Sequence, residues 1–240
     1  MEWRDEGLVI GLRRLGENAS VLEAMTRGHG RHLGLVRGAK SRRLAAALQP
    51  GNTLGLVWRA RLDEHLGAYA VEPLALRAGR FLPSAAALAA LATIGELLRL
   101  LPERDPHETL YDALRPLIEG LDDLKSTPAA LARFELRMLE EFGFALDLSE
   151  CAATGATQEL VYVSPRSARA VSRAAGAPFA DRLLPLPAFL RDETVEASAE
   201  DVVAAFRLTG FFLNRELFAP RGLRTPLARE TFLKAMERGR

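Results

Sequence analysis

The chain has 240 residues, enough for one large domain or two to three small ones, and 48% of them are hydrophobic and 26% charged. This composition is typical of a globular protein and excludes a largely disordered one. The net charge of +1 hides a segregation of charge. Lys and Arg outnumber Asp and Glu by 13 to 8 in residues 1–80 and by 13 to 9 in residues 161–240, but are outnumbered 6 to 14 in residues 81–160. We therefore expect a basic N-terminal module and an acidic middle, which would not bind a polyanion.

The cysteine content and hydropathy indicate where the protein works. The single cysteine, Cys151, excludes an intrachain disulfide framework and fits a reducing compartment. The longest apolar candidate, residues 85–94, is shorter than the roughly 18 residues that a membrane helix needs. The first residues are acidic and lack the apolar core of a signal peptide. We expect a cytoplasmic protein with no membrane contact.

Five strands are predicted in the first third of the chain. These segments are rich in β-branched and aromatic residues, alternate in part between apolar and polar residues, and are bounded by Gly, Asn or Pro. The predicted strands are residues 6–12, 20–26, 30–36, 53–62 and 67–76, with a short helix over 43–49. Five strands with a helix between the third and fourth describe a closed barrel of the oligonucleotide-binding type. An SH3-like barrel is the alternative, although it usually lacks that helix.

Helical periodicity begins after Pro83. Ser84 caps a predicted helix to about Leu101, and Asp105-Pro106 opens a second one that kinks or ends at Pro116. A third is predicted over 129–142, ended by Gly143 in a left-handed conformation. Further along, the pattern predicts a hairpin of 160–164 with 170–172, a long helix over 200–218 capped by Ser198, and a last helix over 227–238.

A basic cluster lies between the third predicted strand and the short helix. Arg37, Lys40, Arg42 and Arg43 fall within seven residues, where they repel one another. A polyanion would relieve that repulsion and release counterions, so the cluster is a candidate nucleic-acid site; a solvated face is the alternative. Further basic residues lie on the predicted strands at Arg13, Arg14, Arg31 and Arg59. Trp58 and Tyr69 are candidate stacking platforms for bases, unless Trp58 belongs to the core.

No arrangement of residues indicates catalysis. Residues 34–41 approach the phosphate-binding loop G-x-x-x-x-G-K-[ST], but Ala39 replaces its second glycine and no long helix follows. The four histidines and the lone cysteine lack the spacing of a zinc site. Asp63-Glu64-His65 is explained more simply as a polar turn than as part of a metal-dependent nuclease.

Several short segments, in this order and spacing, resemble the bacterial RecO family of recombination mediators over nearly the whole chain. They are GLVIGLRRLGENASVLEAMTRGHGRHLGLVRGAKS, ALQPGN, RFELRMLEEFGFALDLSECAATG and YVSPRSARAVS. The resemblance implies an α+β multidomain protein. Its expected parts are a five-stranded OB-fold barrel (1–80), an all-α helical domain (81–148), a zinc-finger-like region that has lost its cysteines (149–180) and C-terminal helices packing on the helical domain (181–240).

The resemblance also implies a function without enzymatic activity. Family members bind single-stranded DNA, with double-stranded DNA as a further ligand, anneal complementary strands and help load recombinase in the RecF pathway. Expected partners are RecR and the acidic tail of single-strand-binding protein, and the expected location is the cytoplasm, at the nucleoid. The resemblance places the DNA contacts of the barrel at Arg37, Lys40, Arg42 and Arg43. Together with the basic residues predicted on the strands, the expected DNA site comprises Arg13, Arg14, Arg31, Arg37, Lys40, Arg42, Arg43 and Arg59. The tail would dock at Arg133, with Leu139 and Phe142 as walls, unless these two pack in the core.

One departure from the family pattern concerns zinc. Where zinc-bearing members have two C-x-x-C pairs, this chain has Cys151-Ala-Ala-Thr154 and Ser172-Arg-Ala-Ala175, so no cofactor or structural zinc is expected. Packing of Leu160, Tyr162, Val171 and Phe179 is expected to hold the region instead.

The C-terminal third of the chain carries a second group of basic residues. Arg166, Arg169 and Arg173 either extend the DNA track or form a solvated face. The rival functions are an RNA-binding or ribosome-associated barrel protein, a nucleotide hydrolase using residues 34–41, and an adaptor whose basic loop contacts an acidic protein.

Overall fold

The computed structural model describes residues 1–238, which form two compact units. One comprises Met1–Asp122 and the C-terminal segment from Pro226, and the other comprises Asp123–Thr225. The first unit thus joins the barrel to helices that we predicted as part of a separate domain, so this grouping differs from the four predicted segments.

The first unit is built on a closed five-stranded barrel. Its strands are β1 (Glu2–Leu15), β2 (Ala19–Thr26), β3 (Gly30–Arg37), β4 (Thr53–Arg59) and β5 (Ala68–Ala75), in the order β1-β2-β3-β5-β4. A short helix, α1 (Arg42–Ala47), connects β3 to β4. β1 is longer than predicted because it serves two neighbours: residues 2–8 pair with β4 and residues 7–15 with β2. This arrangement fits the oligonucleotide-binding type of barrel.

The barrel interior contains the aromatic residues that the sequence offered as stacking platforms. Trp58 is 0% exposed, and its indole Nε1 donates a hydrogen bond to the carbonyl of Leu66 at 3.0 Å. Tyr69 is also buried, with its hydroxyl 2.8 Å from Nδ1 of His32. The stacking prediction is therefore wrong for both rings, since closure of the barrel places them inside, where no base can reach them.

Burial keeps the side chain of His32 uncharged. Desolvation, with a smaller contribution from the nearby Arg104, lowers the pKa of this histidine to about 4. The imidazole is therefore neutral at pH 7 and does not contribute to binding an anion.

Four helices complete the first unit: α2 (Ala78–Phe81), α3 (Ala85–Leu98), α4 (Glu108–Glu119) and α8 (Leu227–Arg238), with α8 packed along α3. Ser84 caps α3 as predicted, accepting a hydrogen bond from the amide of Ala87. The predicted start of α4 at Pro106 is wrong. Residues 103–104 are held against β3 by a bridge from Glu103 to Arg31, and the helix begins only at Glu108.

The second unit combines helices with a small sheet. Its helices are α5 (Thr127–Glu141), α6 (Arg173–Gly176) and α7 (Ala199–Phe212), and its strands β6 (Leu160–Val163), β7 (Ala170–Ser172) and β8 (Leu184–Pro185) form a sheet in the order β7-β6-β8. α5 and α7 pack together around a buried hydrogen bond of 2.5 Å from the Thr209 hydroxyl to the Glu135 carboxylate. The predicted helix over 200–218 is α-helical only to Phe212 and continues as a π-helical turn over Leu213–Phe218.

Among the helices of residues 1–238, none is long and apolar enough to cross a membrane.

Candidate nucleic-acid interface

Six exposed cationic residues lie on two segments that are adjacent at one end of the barrel, the β1–β2 hairpin and the β3–α1 connection. We call them the basic rim: Arg13, Arg14, Arg37, Lys40, Arg42 and Arg43, all exposed. Strand pairing brings Arg14 close to Arg37, because Arg14 is opposite Ser20, which is itself opposite Val36, the neighbour of Arg37. With adjacent strands about 4.8 Å apart, Arg14 and Arg37 therefore start roughly 10 Å from each other. Arg13 projects from the other side of β1 and lines a pocket with Glu23 and Arg99.

The loop that carries the rim is anchored to the barrel. The amide of Gly38 donates to the carbonyl of Asn18 in the β1–β2 hairpin at 2.9 Å, and the side chain of Ala39 is buried in the core. Ser41 then caps α1 by accepting a hydrogen bond from the amide of Leu44. The cations on either side of Ala39 are consequently presented to solvent from a positioned backbone.

The rim residues differ in ion pairing from several other arginines of this unit. Within the described part of the chain, no rim residue forms a salt bridge. Arg27, Arg77 and Arg80, by contrast, are paired with carboxylates of α4 or of the turn after it. A polyanion meeting the rim would not have to break an existing pair, so the rim is available to phosphate. Arg4 and Arg61 are also exposed, and the described residues offer them no salt bridge, but they lie outside this group.

Two residues predicted for the DNA site are engaged elsewhere. Arg31 is mostly buried and contacts Glu23 at 2.8 Å, and its Nε donates to the carbonyl of Leu101. Arg59 is exposed but forms a two-pronged ion pair with Glu2 across the β1–β4 ladder. The structure therefore groups six of the eight predicted residues and places these two outside the group.

The face of β2 and β3, which oligonucleotide-binding barrels commonly use for their ligand, is occupied here. Glu23 on this face binds Arg99 as well as Arg31, each at 2.8 Å. The amide of Arg104 donates to the carbonyl of Arg31, and the guanidinium of Arg104 reaches the loop between β4 and β5 through the carbonyls of Asp63 and His65. Contacts within the chain therefore occupy much of the strand face, whereas the basic rim is exposed.

The resemblance of residues 34–41 to a phosphate-binding loop is explained by packing. Gly34 lies within β3, and a Cβ atom there would come within 2.4 Å of the Tyr69 ring. Ala39 belongs to the barrel core, and the following helix has only six residues. The glycine therefore makes room for an aromatic ring, and these residues do not form a nucleotide loop.

A pocket of about 290 Å³ in the second unit contains the predicted tail-binding arginine. Arg133 lines it, with its Nε donating to the carbonyl of Phe189 at 3.1 Å and its guanidinium 5.2 Å from the centre of that ring. The other predicted walls are wrong. Leu139 is fully buried, and Phe142 lies under the guanidinium of Arg221.

The pocket walls come from residues that sequence reasoning missed. Leu136 and Leu190 contribute apolar surface, and Arg137 and Arg191 contribute charge. Leu136 lies one helical turn after Arg133, at a spacing that places both on one face of α5, and this was the available signal. Leu190 and Arg191 come from more than 50 residues away, so no local pattern links them to the pocket.

Both parts of the chain match models of one family. Residues 1–76 match the family described as "Recombination protein O N terminal", and residues 83–225 match "Recombination protein O C terminal". The chain belongs to the RecO family. It is 58% identical to the DNA repair protein RecO of Methylocella silvestris over 97% of this chain and 95% of the relative, and 54% identical to that of Mesorhizobium japonicum over 99% and 94%. Membership in RecO assigns the chain a role in DNA repair and recombination.

The four positions at which zinc-bearing RecO proteins have cysteines do not fit a zinc ion in this chain. Cys151 is the only thiol, beside Thr154, Ser172 and Ala175, whereas a structural zinc needs four nitrogen or sulfur ligands. The backbone amide of Ser172 donates to the Cys151 sulfur at 3.2 Å. Burial by itself raises the pKa of this thiol. Hydrogen bonds with Ser172 and Thr154 outweigh that effect and lower the pKa to about 6. A hydrogen bond thus connects the segments 151–154 and 172–175, which a metal ion would otherwise join.

The rest of this RecO region differs in part from the prediction. Leu160 and Val171 are buried, and Tyr162 packs on Gly176, where an added Cβ would lie 2.5 Å from its ring. Phe179 is 54% exposed, so its predicted role in packing is wrong. Between residues 1 and 238, no group of three or more His, Cys, Asp or Glu side chains is placed to hold a metal ion.

The three arginines that we considered as a second DNA track separate into two kinds. Arg169 is paired with Asp147 and Glu150 at 3.1 and 2.9 Å. Arg166 and Arg173 are exposed, and the described residues offer neither of them a salt bridge.

Proposed function

We propose that this RecO-family chain binds single-stranded DNA at the basic rim and anneals complementary strands without enzymatic activity. The observation that carries the proposal is the grouping of six cations without ion pairs on an anchored loop and hairpin, beside paired arginines elsewhere in the same unit. Membership in a DNA repair family supports DNA as the polyanion.

The proposed mechanism is electrostatic. Cationic side chains of the rim neutralise phosphates and release their counterions, which supplies affinity without reading sequence. Trp58 and Tyr69 are buried and do not stack on bases, so the bases remain free to pair with a second strand. Lower repulsion between two complementary backbones then speeds annealing, and no nucleotide is consumed.

Annealing of labelled complementary oligonucleotides tests this function. We expect the protein to accelerate duplex formation in the absence of ATP, and unlabelled single-stranded DNA to inhibit more strongly than RNA of the same sequence. A rate equal to that without protein would contradict the proposal. Stronger inhibition by RNA would favour an RNA-binding barrel protein instead.

We further propose that the Arg133 pocket binds the acidic tail of single-strand-binding protein. The pocket combines Arg133 and Arg191 with the apolar Leu136 and Leu190, which complements a peptide that carries both negative charge and apolar side chains. Glu140 and Glu193 also line it, and Glu140 pairs with the third arginine, Arg137, at 2.9 Å. RecR as a partner, recombinase loading in the RecF pathway and a cytoplasmic, nucleoid-associated location remain part of the proposal and rest on family membership.

Arg133→Ala should weaken binding of a fluorescent acidic tail peptide by about 10- to 150-fold, since a charge-assisted hydrogen bond contributes roughly 1.5–3 kcal/mol. The matched control is Arg182→Ala, which removes an exposed arginine of the same unit, with only its neighbour Asp181 as partner. Anisotropy titration measures both affinities. An equal loss in the two variants would mean that the peptide responds to overall charge and not to this pocket.

A further inference from the structure

One face of α7 is exposed and mixes apolar and cationic residues. Val203, Arg207 and Phe211 follow one another at intervals of four, so their side chains project from one side of the helix. Val203 is 51% exposed and Phe211 38%, and Arg207 is also exposed. The buried side of the helix is provided by other residues, among them Phe206 and Phe212.

The π-helical turn after α7 adds a positioned arginine to this face. The guanidinium of Arg215 lies 5.5 Å from the centre of the Phe211 ring and 4.7 Å from that of Phe212. It also donates to the carbonyl of Pro165 and is paired with Glu216. A π-helical turn widens the backbone locally, and such turns are frequent at functional sites.

The contact from Arg215 to Pro165 brings a second cation to the face. Pro165 begins the turn between β6 and β7, and the next residue, Arg166, is exposed. Neither Arg166 nor Arg207 forms a salt bridge with any residue that the structure describes. The ring of Phe211 is therefore flanked by Arg207 one turn earlier on the helix and by the turn that carries Arg166.

We propose that this face, defined by Phe211, Arg207 and Arg166, is a second contact site for single-stranded nucleic acid. A base stacks on the exposed ring of Phe211, and the two free arginines bind the adjoining phosphates. Sequence-independent binding of single strands commonly pairs an aromatic ring with cations in this way. The inference rests on the proposed function, and it gives the chain a contact for single-stranded nucleic acid on each unit.

The shape of the face favours a nucleic acid over an acidic peptide. Apolar anchors of a peptide gain affinity by entering concave, well-packed pockets. A helix face is convex, and stacking of a base requires only a planar ring with a cation beside it.

Anisotropy of a fluorescent oligo-dT with the 240-residue chain tests the site. Phe211→Ala should weaken binding by about 5- to 100-fold, and Phe211→Leu should weaken it similarly because it keeps apolar bulk without a ring. Phe211→Trp should retain affinity. Arg207→Ala should flatten the log–log salt dependence by about 0.7. Val203→Ala, on the same face, is the matched control and should leave affinity within twofold.

The outcomes separate this inference from the proposed function. If the wild type does not bind oligo-dT, the proposed function fails and this site with it. If changes at the basic rim weaken binding while both Phe211→Ala and Phe211→Leu bind normally, only this inference is overturned. Equal losses in Val203→Ala and Phe211→Ala would also overturn it. The inference would also be overturned if Phe211→Ala weakened binding of a labelled polyglutamate peptide but not of oligo-dT, since the partner would then be an acidic protein. Unchanged thermal unfolding verifies that each variant is folded.

Discussion

Changing Arg37, Lys40, Arg42 and Arg43 together to Ala should flatten the log–log salt dependence of single-stranded DNA binding by about 3, since each lost phosphate contact removes about 0.7. At 0.15 M salt the same four contacts correspond to a loss of affinity of about a hundredfold. Fluorescence anisotropy of labelled single-stranded DNA across a salt series measures both quantities. The side chains are exposed and the described residues offer them no ion pair, so the fold should be unaffected.

The matched control removes the same number of charges from arginines that are ion-paired within the same unit. Arg27, Arg59, Arg80 and Arg115 are exposed and bind carboxylates, so their change to Ala lowers net charge equally without touching the basic rim. We expect a much smaller change in slope. If the control matches the rim variant, binding follows total charge; if neither changes binding, the rim is a solvated face or a protein-docking loop.

Trp58→Ala should reduce the free energy of unfolding by about 3–5 kcal/mol, the usual cost of truncating a large core side chain. Its ring is fully buried among the barrel core residues, and the change also leaves the carbonyl of Leu66 without its donor. Urea unfolding followed by circular dichroism measures this loss. A stacking platform at the surface would lose DNA affinity instead, with little change in stability.

Trp58→Phe is the control for this prediction. It keeps an aromatic ring in the core but removes the indole donor, so we expect a smaller loss of stability than in Trp58→Ala. Folded Trp58→Phe protein should bind single-stranded DNA as the wild type does. If Trp58→Ala had normal stability but bound DNA weakly, Trp58 would lie at the surface, and the buried position would be contradicted.

Occupation of the β2–β3 face separates this barrel from a simple oligonucleotide groove. Glu23, Arg31 and Arg99 form one connected ion-pair group there, and the segment around Arg104 covers the edge of β3. The barrel therefore serves two purposes: its strand face stabilises the first unit, and its end carries the free cations.

Local sequence determined most of the secondary structure. Alternation and turn residues predicted five strands and the helix α1, and Ser84 and Ser198 predicted two helix starts, because these signals act over a few residues. The start of α4 was predicted wrongly because the pairing of Glu103 with Arg31, a contact over about 70 residues, prevailed over the capping signal at Asp105-Pro106. The π-helical end of α7 had no local signal that we recognised.

Sequence by itself also determined that a cluster of cations exists and that three of four zinc ligands are missing, since both are properties of composition and spacing. Only the tertiary structure decided which cations are free. Arg31 and Arg59 find their carboxylates, Glu23 and Glu2, across neighbouring strands, and the register of those strands depends on barrel closure. Closure likewise decided which face of β4 turned inward, and so assigned Trp58 to the core. Ion pairing and burial depend on contacts between distant residues, which no local pattern contains.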